Sequence, residues 1–412
     1  MSFPYAPLKL GLIGCGGMGA RHARAACEMF QRGCKAIELV AICDSDPAKR
    51  AAISRMAVAS AMPAPAEYET VEAMLADTRM EAVDIVLPTS LHHKVILAAL
   101  AAGKHVQVEK PLALTVAACD LIVEAARHSG RVVSVSENFR RIPSNRALAA
   151  LLRGGTLGLV QTMVSRCFAS PEPPVKAGEP ARVSPQWYRD RTRAGGYQVL
   201  EMGVHEADLQ QYWFGPVETV MAHTGRYPSH KAVACNASED IMNATFGFAG
   251  GMATSVVFGA MMRGVSVEDR LFVTEDAVVR SGASHAWQNG SLVRADGSAL
   301  SAEDATRTWL DGLSAEQRAL LLPEGAWDRR TVLSDPTDPL TYGVGVALYD
   351  FARAVRGGTS PEICADVARR AVAVCCAVME SDLLRAEVAV ADVLSGRISA
   401  AQAPLNTALE LA

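Results

Sequence analysis

Through the first third of the chain, short continuous apolar runs alternate with stretches of helical period. Leu8–Ile13 and Ile37–Cys43 have the length and composition of buried strands, and Ala82–Leu87, Lys104–Val108 and Arg131–Val135 repeat the pattern. Between them, Ala20–Phe30, Val71–Leu75, Lys94–Ala102 and Leu114–His128 place apolar residues at helical spacing, with Gly103 and Gly130 closing the last two. A strand covered on both faces reads as a run rather than an alternation. Strand–helix units repeated at this length predict a doubly wound, Rossmann-type parallel sheet over residues 1–141, the α/β class. Functional groups in such sheets collect beyond the carboxyl ends of the strands.

From Ile142 the pattern changes. Asn145–Leu152 is helical and stops at Gly154-Gly155, and the next strand-like run is Leu159–Phe168. Further runs fall at Val217–Thr224, Glu239–Phe248, Met252–Phe258, Val265–Thr274 and Ala277–Arg280, with a hairpin expected across Ala249-Gly250-Gly251. Strands grouped with few helices between them predict an open, mostly antiparallel sheet, an α+β second domain over 142–412. Positions 198–214 read as a helix, Ser170–Pro185 as a Pro- and Glu-rich surface loop, and 281–340 as a polar insertion with helical pieces. Helices over 342–385 close the domain, and Val388–Val393 is a strand or a turn.

A chain of 412 residues suits two domains of this kind. Its net charge of −4 gives no reason to expect nucleic acid or a membrane as partner. No apolar run approaches the ~20 residues that would span a bilayer, and Met1–Pro7 has no leader pattern. The ten cysteines are scattered without a Cys-x-x-Cys spacing, so reduced thiols in a cytoplasmic protein and no metal site are expected.

The chemistry starts at Gly14-Cys15-Gly16-Gly17-Met18-Gly19, which follows the first strand and opens the first helix. A tight turn, a backbone free to approach a pyrophosphate, and a helix start with open N–H groups are what a dinucleotide needs. Gly14, Gly16, Gly17, Met18 and Gly19 are therefore expected cofactor contacts. Asp44 ends the second strand, 25 residues beyond Gly19, where a carboxylate accepts from ribose hydroxyls and repels a 2′-phosphate. NAD is expected over NADP. The same acid would also suit the turn Asp44-Ser45-Asp46-Pro47.

Three stretches together resemble the Gfo/Idh/MocA oxidoreductase family, which includes glucose–fructose oxidoreductase and inositol dehydrogenase. They are the glycine turn, Pro88-Thr89-Ser90-Leu91-His92, and Ala102 to Pro111 with its Glu109-Lys110-Pro111 signature. The resemblance implies cofactor contacts at Pro88, Thr89, His92, Glu109 and Lys110, and a catalytic role for Lys110. His22 and His105 read as packing residues. Further on, Glu201 and His205 stand four apart and would share a helix face. That spacing alone does not separate a catalytic pair from a solvated one. The stretch Gly195-Gly196-Tyr197 to Asp208 resembles the family motif in which the His is the base, with Glu201 in place of an Asp and Tyr197 in place of a third Gly.

The resemblance implies NAD-dependent hydride transfer between nicotinamide and a secondary alcohol or ketone of a sugar, polyol or glycoside. Asn138, Trp187, Arg189 and Tyr197 are candidate substrate contacts beside Lys110 and His205. Two alternatives stand next to it: a redox-assisted glycosidase or lyase with tightly bound NAD, and a non-catalytic NAD-sensing protein. A homodimer or homotetramer is expected.

Overall fold

A computed structural model of the chain describes residues 3–168, 186–226, 238–260, 266–283, 285–321 and 339–411. Contacts divide it into two units. The first comprises Met1–Leu112, Cys119–Ile142 and Leu310–Ala368; the second comprises Ala113–Ala118, Pro143–Trp309 and Arg369–Ala412.

In the first unit the chain runs β1 (Leu8–Ile13), α1 (Gly17–Gln31), β2 (Ile37–Cys43), α2 (Pro47–Ala59), β3 (Ala66–Tyr68), α3 (Val71–Leu75) and β4 (Ala82–Ile85). It continues through α4 (His92–Ala101), β5 (His105–Glu109), α5 (Val116–Ser129) and β6 (Val133–Ser136). The strands form a six-stranded parallel sheet in the order β3-β2-β1-β4-β5-β6. Leu8, Leu10, Leu12 and Ile13 of β1 are all buried, as an apolar run requires when both faces are covered. The α2–β3 unit was not anticipated. Its helix is started by Asp46, whose side chain accepts from the Ala48 amide, with Pro47 at the first position.

The second unit holds α6 (Pro143–Arg153), β7 (Val160–Phe168), α7 (Arg191–Ala194), α8 (Gly203–Phe214), β8 (Val217–Gly225), β9 (Ile241–Phe248) and β10 (Ala253–Gly259). It goes on through β11 (Val267–Thr274), β12 (Ala277–Ser281), β13 (Ser291–Arg294), β14 (Ala299–Ser301) and α9 (Ala302–Gly312). The nine-stranded sheet has the order β14-β13-β12-β11-β7-β10-β9-β8-β15, where β15 is Val388–Ala389. Every pairing is antiparallel except β7 with β10. The expected hairpin across Ala249–Gly251 is present as β9–β10.

Two expectations differ from the structure. The polar stretch 281–340 contributes β13 and β14 to the sheet, because Leu292 alternates inward and packs fully buried while its neighbours face out. Positions 322–338 and the Ser170–Pro185 loop lie outside the described residues. After α10 (Ala315–Leu321), helix α11 (Pro339–Gly357) groups with the first unit and not with the second. Tyr342, Val346, Leu348, Tyr349 and Phe351 join the core formed by Leu8, Leu10, Met29 and Ile37. The fully buried Arg141 guanidinium pairs with Asp350 of α11 and with Glu362. Burying that ion pair is acceptable only because both sides are present; a lone charge there would cost several kcal/mol, on the order of 3–5. Helix α12 (Ala365–Leu384) follows.

Candidate active site

The glycine loop is shaped by steric exclusion. Gly14 sits at φ +96°, and a Cβ there would lie 2.1 Å from the Val86 carbonyl oxygen. A Cβ on Gly19 would lie 1.9 Å from the Gly14 oxygen, so α1 can approach β1 this closely only without a side chain. At Gly16 and Gly17 a Cβ would meet nothing within 4 Å. Two glycines are thus required by the protein itself, and two leave open space at an uncapped helix start. That space, beside N–H groups at the positive end of the helix dipole, fits a pyrophosphate. Met18 is half-buried in the first turn, its sulfur against Arg21.

Asp44 is tied to the same loop. Its Oδ2 accepts from the Cys15 amide (2.8 Å) and its Oδ1 from the Asp46 amide (2.9 Å). A carboxylate has about four acceptor sites, so both oxygens can still accept from ribose hydroxyls. Both readings of Asp44, turn former and ribose acceptor, are compatible with this geometry. Burial, with Asp44 second, pushes the Cys15 thiol up to about 12, so it stays protonated.

Along the same carboxyl edge, Thr89 is buried in a short turn after β4. His92 starts α4 with Nδ1 2.8 Å from the Pro111 oxygen and Nε2 2.9 Å from the Leu87 oxygen. It links the turn after β4 to the turn after β5, and Pro88 lies in the chain between Leu87 and His92. Glu109 ends β5, and its Oε2 accepts the Lys110 amide at 3.0 Å; the Lys110–Pro111 peptide is cis. Beyond β6, Asn138 is buried against Gly343 of α11, and its Oδ1 has no hydrogen-bond partner among the described residues.

His22, expected as a packing residue, is buried and is also paired with two carboxylates. It is 1% exposed, with Nδ1 2.7 Å from Asp84 Oδ2 and Nε2 3.0 Å from Glu109 Oε1. Burial opposes its charge, but the Asp84 charge and hydrogen bonds to both carboxylates outweigh that and raise its pKa to about 10. Two signals could have pointed to it. His22 lies three residues after Gly19, hence on the helix face that packs against the sheet. Asp84 is an acid inside an apolar strand, which needs a partner.

In the second unit the helix expected over 198–214 is a π-helical turn, Tyr197–Met202, followed by α8. The Glu201 amide donates to the Gly196 oxygen five residues back (2.9 Å), so Glu201 and His205 do not lie on one regular α-helix. Both side chains are buried, at 2% and 7% exposure, as is Asp208, so neither member of the pair is a solvated surface residue. Glu239 receives the Val199 amide at 2.8 Å and holds the start of this turn; burial raises its pKa. Trp187 stacks on Tyr188 at 4.1 Å, and Tyr188 meets Tyr197 edge-on at 6.1 Å. Two of the expected substrate contacts therefore belong to one aromatic cluster. Arg189 lies in the short turn Gln186–Arg189, and its side chain is outside the described residues.

Other residues of this unit went unnoticed in the sequence. His285 sits where burial lowers its pKa, with Glu268 opposing and Arg270 and His205 adding to the effect. Its loop is pinned by Asn145, which donates to the His285 oxygen (2.9 Å) and accepts from the Trp287 amide (3.0 Å). Beneath α8, Glu206 pairs with Arg270 and accepts from Gln210, which accepts from Thr254. Among the described residues, no group of three His, Cys, Asp or Glu could hold a metal, and no helix is long and apolar enough to cross a membrane.

Comparison with known proteins adds the following. A model described as the oxidoreductase family, NAD-binding Rossmann fold, of the Gfo/Idh/MocA group matches residues 8–137, and the Gfo/Idh/MocA C-terminal domain model matches residues 145–276. A 1,5-anhydro-D-fructose reductase of Ensifer adhaerens is 33% identical over 144 residues, 35% of this chain and 40% of that protein. A D-glucoside 3-dehydrogenase of Escherichia coli strain K12 is 27% identical over 223 residues, 53% of this chain and 58% of that protein. The chain thus spans about half the length of the curated relatives it matches. Among solved structures, levoglucosan dehydrogenase in complex with NADH and levoglucosan superposes with a TM-score of 0.73 at 19% identity, over 93% of this chain and 99% of that one. An Agrobacterium radiobacter oxidoreductase in complex with NAD+, L-tartaric acid and magnesium gives 0.70 at 18% identity, over 94% and 99%. At such identities these two establish the shared fold.

Proposed function

The chain belongs to the Gfo/Idh/MocA oxidoreductase family, and from that premise we propose that it is an NAD-dependent dehydrogenase or reductase. Its substrate is a secondary alcohol or ketone of a sugar, polyol or glycoside. The observation that carries this reading is the position of Lys110. It directly follows β5, at the same carboxyl edge as the glycine loop after β1, with only β4 between the two strands. The names of the relatives, a reductase of an anhydro sugar and a dehydrogenase of a glucoside, support the substrate class.

Gly14 to Gly19 hold the pyrophosphate through backbone amides and Asp44 accepts from the ribose hydroxyls. NAD, when bound, supplies the hydride acceptor. His205 takes the proton of the substrate hydroxyl on a ring nitrogen, and Glu201 orients the ring. Lys110 holds a substrate oxygen through Nζ and stabilises the negative charge that develops there. Trp187 and Tyr197 offer aromatic faces to a sugar ring, and Asn138 and Arg189 offer polar contacts.

The test is Lys110→Ala, assayed on a panel of sugars, inositols and glycosides by NADH absorbance. Turnover is expected to fall by about 10²-fold or more, with the NADH Kd changed by less than about threefold, equivalent to under ~1 kcal/mol. Near-normal turnover of Lys110→Ala would overturn the reading. So would product formed by the unaltered enzyme without net NADH.

A further inference from the structure

The strands β1, β4 and β5 are neighbours in the sheet, and α1 leaves the glycine loop directly over them. One side chain of that helix, His22, reaches the carboxylates of both β4 and β5: Asp84 at 2.7 Å and Glu109 at 3.0 Å. Asp84 is 1% exposed and Glu109 6%. Glu109 is engaged at both ends, since its Oε1 faces His22 and its Oε2 accepts the Lys110 amide at 3.0 Å. The contacts therefore run without a break from Asp84 through His22 and Glu109 to the backbone of Lys110.

We propose that His22 is a positioning residue for Lys110: it fixes the Glu109 carboxylate, which holds the Lys110 backbone in register with the glycine-loop helix. The proposal deepens the reading of Lys110 given above and rests on it. A free carboxylate at a strand end can rotate about its χ angles, and each rotation would move the acceptor away from the Lys110 amide. With His22 donating to Oε1, one rotamer is held. Asp84 does for His22 what His22 does for Glu109, by fixing the ring through Nδ1. The same bonds give the glycine loop and the lysine a common frame, so a dinucleotide seated on α1 is in fixed relation to the Lys110 backbone.

Removing His22 alone would leave two buried carboxylates without their cation and could unfold the protein. The test therefore uses two charge-balanced pairs, each carrying Asp84→Asn. With His22→Gln, the amide nitrogen falls near the position of Nε2 and can still donate to Glu109. With His22→Asn, it falls near the position of Nδ1 and cannot reach. Hydrogen exchange of the Lys110 amide in the protein without added cofactor is the first readout. It is expected to accelerate by about tenfold or more in D84N/H22N and to stay within about threefold in D84N/H22Q.

Turnover is the second readout. A kcat loss of about tenfold or more is expected in D84N/H22N and not in D84N/H22Q, and that loss should vanish when Lys110→Ala is also present. Equal exchange of the Lys110 amide in the two pairs overturns the proposal, as does an undiminished loss in the Lys110→Ala background. If the amide responds as expected while Lys110→Ala alone keeps full turnover, the tether stands and the catalytic reading of Lys110 falls.

Discussion

Raising the pH from 7 to about 8.5 should destabilise the first unit through a single group, His22. Its folded-state pKa is raised to about 10 from an ordinary value of 6.5. The folded state thus keeps a proton that the unfolded chain has released, and the stabilisation present below pH 6.5 is lost as pH rises towards 10. One proton of difference corresponds to a slope of about 1.4 kcal/mol per pH unit, or about 2 kcal/mol between pH 7 and 8.5. The other perturbed histidines fall outside this window. His105 and His285 have lowered pKa values, so their contribution changes below pH 6.5 and with the opposite sign. The buried thiols of Cys15, Cys34, Cys43 and Cys376 are raised from 9.0 to about 11–12, so their effect begins near pH 9. Native-state hydrogen exchange of β1 and β4 amides, corrected for the intrinsic base-catalysed rate, would read this slope without cofactor. In D84N/H22N the slope should disappear. A flat profile in the unaltered protein, or the same slope in the double variant, would refute a charged His22.

The glycine loop makes a contrast between two otherwise similar changes. Gly14→Ala should lower stability by at least ~1–3 kcal/mol from the positive φ alone, before the overlap with Val86. Gly17→Ala should leave thermal stability unchanged within about 1 °C and weaken NADH binding measured by fluorescence titration. Asp44→Asn keeps an acceptor for one loop amide but loses the charge, and should weaken NADH by about tenfold, ~1.4 kcal/mol, while narrowing its advantage over NADPH. Arg270→Met strands the buried Glu206 carboxylate and should cost ~3–5 kcal/mol in urea unfolding followed by Trp213 fluorescence, with part recovered when Glu206→Gln is added.

The chain itself determined the elements and the cofactor loop. β1 and β2 begin and end where their apolar runs do, α3 occupies the five residues its pattern predicts, and β9–β10 turn at the glycine pair. These features depend on neighbours within a few positions, where periodicity, glycine conformation and turn chemistry act. The motif at Glu109-Lys110-Pro111 was legible for the same reason. What surrounds these elements was decided by contacts between residues far apart in the chain. Arg141 meets Asp350 across 209 positions and draws α11 to the first sheet. Glu239 accepts the Val199 amide forty residues earlier, within the π-helical turn that precedes α8. His22 is bounded by Asp84 and Glu109, which are 62 and 87 positions away. A pattern of hydrophobic and polar positions tells which face of a helix is buried, not which charged groups wait on the strand beneath it. For His22 that difference separates an ordinary packing residue from a buried cation held between two carboxylates.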